Sequence, residues 1–176
     1  MKKIAVIGAG AMGNGIAHVF SVSGFPVNLI DQAPARLDNA MKTIDKNIDR
    51  QLEKGNMTAG VKQQILQRIK PGCDLKAGVA EADLVVEAVS ENEEIKLNLF
   101  RELDKLCSPE AILASNTSSI SITRLAAATT RPAQVIGMHF MNPVPVMKLV
   151  EVINGYATSA SVTHAITEIA KQLEKI

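Results

Sequence analysis

A doubly wound α/β fold with a parallel-rich sheet is what this sequence predicts, on three observations. Short apolar runs alternate with amphipathic segments from the first residues onward, the pattern of strands linked by crossover helices. The runs at Ile4–Ile7 and 83–89 are apolar on both faces, as central parallel strands are. Between the first run and the first helical segment stands Gly8-Ala9-Gly10-Ala11-Met12-Gly13. In such a turn the first glycine permits the bend, the second lets backbone approach a pyrophosphate, and the third lets helix and strand pack closely. The free N–H groups of the helix N-terminus then hold the phosphates. A second apolar run, Val27–Ile30, ends in Asp31, roughly 20 residues on, where a carboxylate takes ribose hydroxyls.

The elements follow in order. Met12–Ser23 is a helix closed by Gly24, a C-cap. From Arg36 to Lys54, Leu37, Met41, Ile44, Ile48 and Leu52 recur at helical spacing. Thr58 starts a second helix that runs to about Ile69 and is halted by Pro71-Gly72, so the two form a hairpin inserted into the sheet connection. Asn92 caps the next helix, with Glu93 and Glu94 suited to its N-terminal dipole and Ile95, Leu99, Leu103 and Leu106 as its core stripe. Ala111–Ala114 is a strand, 115–119 a polar loop, and Ser121–Ala128 a short helix. Val135–Phe140 and Leu149–Ile153 form a C-terminal β-hairpin around Asn142-Pro143-Val144-Pro145. A last helix from Ser159 presents Val162, Ile166, Ile169, Leu173 and Ile176 on one face.

At 176 residues the chain is one domain, 1–176, long enough to bury a core. A net charge of +1 with interspersed signs gives no basic patch for nucleic acid. No apolar run approaches the roughly 18 residues of a membrane span, and the run after Met1-Lys2-Lys3 is too short for a signal peptide. Cys73 and Cys107 lack metal or redox spacing and read as reduced thiols of a cytoplasmic protein, with a disulfide as the alternative. No metal site is expected.

His139 and Glu151 each sit in an apolar strand, where an unpaired polar group costs about 2–7 kcal/mol. A hairpin centred on Pro145 places them directly opposite each other with side chains on one face. A carboxylate there orients the imidazole and strengthens it as a proton acceptor. This is the arrangement of a general base, which is worth about 10²–10⁴-fold in rate. A structural hydrogen bond closing the hairpin fits the same pattern, and Lys148 competes for Glu151. Serines 115–121 include ordinary helix caps at Ser119 or Ser121, and a functional hydroxyl among them must face the cleft. His18 and His164 lie in helices as structural or solvated groups. Glu87, inside an apolar strand, calls for the N–H groups of a neighbouring loop.

Taken together, Gly8-AGAMGNGIA, Asp31-Gln32, Val85-VEAVSEN, Ala114-SNTSSISIT and Gly137-MHFMNPVPVMKLVEV resemble the L-3-hydroxyacyl-CoA dehydrogenase family. The resemblance covers essentially the whole chain, but only the N-terminal, cofactor-binding half of the family. It implies a Rossmann-like domain and an oxidoreductase of fatty-acid and butanoate metabolism. The implied reaction oxidises (S)-3-hydroxyacyl-CoA, such as 3-hydroxybutyryl-CoA, to 3-oxoacyl-CoA. His139 is then the general base and Glu151 its orienting acid. Ser118 bonds the reacting oxygen beside the cofactor, and Asn142 borders the nicotinamide. Gly8, Ala9, Gly10, Ala11, Met12 and Gly13 hold the pyrophosphate of NAD, Asp31 with Gln32 takes the ribose, and Glu91 and Lys96 line the nicotinamide side. The acyl-CoA substrate is met by Ser118 and by the helical hairpin, where Lys54 matches a family lysine and Asn47 stands where some members carry serine. Met141 replaces a phenylalanine common in the family. The family continues into a helical C-terminal domain, opening with a PGFVVNR-like segment, that closes the cleft and makes homo-oligomers; these 176 residues alone are expected to turn over poorly. A non-catalytic NAD-binding module and a dehydrogenase of a sugar acid are the other readings of the same residues.

Overall fold

A computed structural model describes residues 2–55 and 60–176. Its elements are β1 (Ile4–Ile7), α1 (Ala11–Val22), β2 (Val27–Ile30), α2 (Pro34–Glu53), α3 (Val61–Gln67), β3 (Ile69–Gly72) and α4 (Leu75–Val79). Then come β4 (Leu84–Glu87), α5 (Glu93–Leu106), β5 (Ile112–Ser115), α6 (Ile122–Ala127), β6 (Val135–Phe140), β7 (Val150–Asn154) and α7 (Ala160–Gln172). The strands form one sheet in the order β3-β2-β1-β4-β5-β6-β7. All pairings are parallel except that of β6 with β7. Alternation along β1 explains the double winding. Ile4 and Val6 share one core with α1, α2 and α7 through Ile16, Phe20, Ile44 and Ile166. Ala5 and Ile7 share the other with α4, α5 and α6 through Val79, Phe100, Leu103 and Leu125.

Strand order reverses between β1 and β4, so the turns after them, with those after β5 and β6, border one crevice at the carboxyl edge. The first glycine sits in that reversal. Gly8 has φ +99°, and a Cβ on it would lie 2.5 Å from the carbonyl oxygen of Ala88.

Four local expectations need correction. Thr58 lies outside the described residues, α3 ends at Gln67, and Ile69–Gly72 is an edge strand instead of a helix end. Pro71 is tolerated there because β3 pairs on one side only. Residues Leu75–Val79 form a helix the apolar pattern did not signal, too short to show a period, and it is capped by Asp74, whose side chain accepts from the Ala77 N–H. The buried face of α5 is rotated: Lys96, Phe100 and Leu103 are buried while Ile95 is 49% exposed. Finally, α7 stops at Gln172, so Ile176 is exposed, and its backbone instead pairs with Lys148 and Val150.

Candidate active site

The glycine turn meets the steric demands of a dinucleotide site position by position. A Cβ on Gly13 would sit 1.6 Å from the Gly8 carbonyl oxygen, so helix and turn touch only because Gly13 has no side chain. A Cβ on Gly10 would meet nothing within 4 Å, which leaves space above the turn for phosphate. The N-cap of α1 is Gly10, which makes no side-chain cap, and no acid occupies the helix's first turn, so its leading N–H groups are not taken by a cap. Asp31, 8% exposed, takes the Ala9 N–H at 2.9 Å on one carboxylate oxygen and the Ala33 N–H at 2.9 Å on the other. It therefore fixes the turn, and since a carboxylate accepts at about four lone-pair sites, it keeps capacity for ribose hydroxyls. Gln32 beside it is exposed, and the Arg36 guanidinium stands 3.9 Å from Asp31.

Across the crevice, the antiparallel register sets His139 opposite Glu151, and Nδ1 of the imidazole lies 2.7 Å from Oε2 of the carboxylate. Among the described residues Lys148 does not compete for that carboxylate. A carboxylate only accepts, so Nδ1 donates, and in the neutral imidazole Nε2 is then the accepting nitrogen. Glu151 is half exposed and the His139 side chain 19% exposed, so the imidazole borders solvent at the sheet edge. A cavity of about 300 Å³ is lined by His139, Ser118, Asn142, Met141, Lys96 and Met12, among others. Of the residues singled out in the sequence, His139, Ser118, Asn142, Glu91, Lys96 and Met12 meet at that cavity, and the substituted Met141 is a wall of it. Asn47 and Lys54 stand apart from it on α2 and just beyond its end, seven positions apart and so on one helix face.

Glu91 organises the serine loop. One carboxylate oxygen takes the Thr117 hydroxyl, the Ser118 N–H at 3.1 Å and the Ser119 hydroxyl at 3.1 Å, while the other lies 3.3 Å from the Lys96 ammonium. Burial on its own would raise the Glu91 pKa. The Thr117 hydrogen bond, the Lys96 charge and the Ser119 hydrogen bond outweigh it and hold the carboxyl below its usual range.

Asn116, which the sequence did not single out, ties the end of β5 to both neighbouring strands, β4 and β6. Its N–H donates to the Glu87 carbonyl at 2.8 Å and its side-chain oxygen accepts the Phe140 N–H at 2.8 Å, one residue past the histidine. Ser121 caps α6 as expected. His18 is fully buried, its Nε2 is 3.3 Å from the Gln51 side-chain oxygen, and burial lowers its pKa to about 4. His164 is exposed.

A glycine-turned βαβ crevice with an acid after the second strand and a histidine at its rim defines the class: a dinucleotide-binding domain of oxidoreductases. The family model for the NAD-binding domain of 3-hydroxyacyl-CoA dehydrogenase matches residues 3–176. The chain is 52% identical over 173 residues to a probable 3-hydroxybutyryl-CoA dehydrogenase of Deinococcus radiodurans, covering 98% of this chain and 62% of that protein. It is 51% identical over 175 residues to a 3-hydroxybutyryl-CoA dehydrogenase of Bradyrhizobium diazoefficiens, covering 99% and 59%. The crystal structure of 3-hydroxybutyryl-CoA dehydrogenase from Escherichia coli K12 superposes with a TM-score of 0.96 at 43% identity, covering 99% of this chain and 37% of that one. The chain belongs to the 3-hydroxyacyl-CoA dehydrogenase family, as its NAD-binding domain, and spans about three fifths of the length of the two sequence relatives.

Proposed function

We propose that this chain is the cofactor-binding, base-bearing part of an NAD-dependent dehydrogenase that interconverts (S)-3-hydroxyacyl-CoA and 3-oxoacyl-CoA, with 3-hydroxybutyryl-CoA as substrate. The 2.7 Å His139–Glu151 contact, opening on the same cavity as Ser118 and Asn142, carries the proposal. Gly8, Ala9, Gly10, Ala11, Met12 and Gly13 would hold the pyrophosphate of NAD, and Asp31 with Gln32 would take the adenosine ribose. Lys96, Glu91, Ser118 and Asn142 would border the nicotinamide, which when bound would supply a hydride acceptor.

In the oxidation, His139 Nε2 takes the proton of the 3-hydroxyl as the C3 hydride leaves, and the C3–O single bond becomes a carbonyl. Glu151 holds the imidazole in the tautomer that accepts at Nε2 and stabilises the imidazolium that results. Ser118 donates to the reacting oxygen. Lys54 and Asn47 meet coenzyme A on the α2 face, and a helical C-terminal domain of the kind the family carries would make the homo-oligomer. Cys73 and Cys107 are free thiols, which supports a reducing, cytoplasmic setting; no described helix is long and apolar enough to cross a membrane.

The test is NADH consumption by the protein joined to a family C-terminal domain, with acetoacetyl-CoA against a CoA-free oxo sugar acid. Turnover of the thioester alone is expected. Turnover of the sugar acid alone, or of neither while NADH binds, would overturn the assignment.

A further inference from the structure

The crevice holds a second acid–cation pair that the proposed proton transfer does not use. Glu87 ends β4 and is fully buried. Its Oε1 accepts the Val89 N–H at 2.7 Å and the Lys96 ammonium at 2.5 Å, and its Oε2 accepts the Ser115 hydroxyl at 2.6 Å. Lys96 is itself 1% exposed, yet it lines the same cavity as His139. Its ammonium also lies 3.4 Å from the Val89 carbonyl oxygen and 3.3 Å from the Glu91 carboxylate.

Burying a carboxylate and an ammonium costs several kcal/mol each before their attraction is counted. Their site is informative for that reason. Lys96 lines the cavity that His139 borders, with Glu87 behind it, and a nicotinamide ring passing a hydride beside His139 would stand in that cavity. That ring is a cation when oxidised and neutral when reduced, so a fixed charge nearby discriminates between the two forms. Glu87, Lys96 and Glu91 carry two negative charges and one positive, a net −1, with Glu87 and Lys96 buried out of solvent and Glu91 partly exposed beside them.

We propose that Glu87 sets the redox preference of the bound cofactor: by closing an ion pair with Lys96 it cancels a cation at the ring's edge and leaves the wall net negative, favouring the oxidised form. Glu87 is thus a positioning residue, acting through Lys96 and never touching substrate. The inference rests on the nicotinamide occupying this cavity.

The test is the ratio of Kd for NAD to Kd for NADH, measured by calorimetry and by NADH fluorescence, in four proteins: the parent, Glu87→Gln, Lys96→Met and the double variant. Glu87→Gln keeps the side chain's shape but neutralises the wall, so the ratio should rise about tenfold. Lys96→Met makes the wall more negative, so the ratio should fall by a similar factor. The double variant restores the net −1 and should return within about twofold of the parent. A merely structural role weakens both forms together and leaves the ratio fixed. A ratio unmoved in both single variants, or moved in the same direction by both, overturns the proposal. If Glu87→Gln fails to fold, the sign of the Lys96→Met shift decides. Should the His139 resonances ignore NAD altogether, the earlier placement of the ring has failed instead. Responsive His139 resonances with an unmoved ratio reject this inference alone.

Discussion

The crevice contains two carboxylates that each hold a basic side chain, and they are built in opposite ways. Glu151 reaches His139 across the antiparallel edge of the sheet, half exposed, and leaves Nε2 of the ring without a partner among the described residues. Glu87 holds Lys96 with both groups buried, and its two oxygens are taken up by a backbone N–H, an ammonium and a hydroxyl. The open pair is placed to exchange a proton, because the imidazole borders solvent and a cavity while the carboxylate stands against its other side. The closed pair is suited to being a fixed charge. Proton transfer and electrostatic preference are thus proposed for different carboxylates, Glu151 on β7 and Glu87 on β4.

The comparison can be broken at its open side first. His139→Gln in an active full-length form should cut kcat by about 10²–10⁴-fold while NADH affinity stays within about twofold, read by steady-state kinetics and fluorescence titration. Equal losses of kcat and affinity would make the pair a hairpin clasp. Glu151→Gln should cost less, about 10–100-fold in kcat, since the base survives without its orienting partner. A loss as great as that of His139→Gln would give Glu151 a direct part in the chemistry.

His18 sharpens the comparison, as an imidazole in the core with no carboxylate beside it. Its pKa falls from 6.5 to about 4 on folding. Above pH 6.5 it is neutral folded and unfolded, and contributes no pH dependence. As pH drops from 6.5 toward 4 the unfolded chain takes up the proton and the folded one does not, so stability declines by up to about 3 kcal/mol. Denaturant titrations across that range should show the decline, and His18→Gln should flatten it. The smallest expected effect is at the closed pair's edge. Ser115→Ala removes one donor from buried Glu87 and should lower stability by about 1–3 kcal/mol, measured as a shift in denaturant midpoint.

The difference between the pairs also marks what could be read from the sequence. The His139–Glu151 contact was legible because an antiparallel hairpin has integer register: once Pro145 is the centre, pairing follows by counting. The glycine turn and Asp31 were legible because each glycine answers a separate steric demand. The partner of Glu87 was only half legible. Neighbouring N–H groups were expected, and Val89 supplies one, but Lys96 was hidden because the stripe on α5 was read one residue out of phase. Ile95 fits an apolar face as well as Lys96 fits a solvated one, and only a buried acid on the adjacent strand reverses them. The short β3 and α4 were missed for a related reason: four or five residues are too few to show a period, and Pro71 argued against a strand that edge placement permits.

The central claim, that the paired imidazole stands at the reactive ring of the bound cofactor, is tested most directly by NMR on this chain titrated with NAD. The His139 ring protons should shift and give cross-relaxation to the nicotinamide protons, along with shifts of the Gly8–Gly13 amides. Amide shifts in the glycine turn with His139 signals left in place would contradict it.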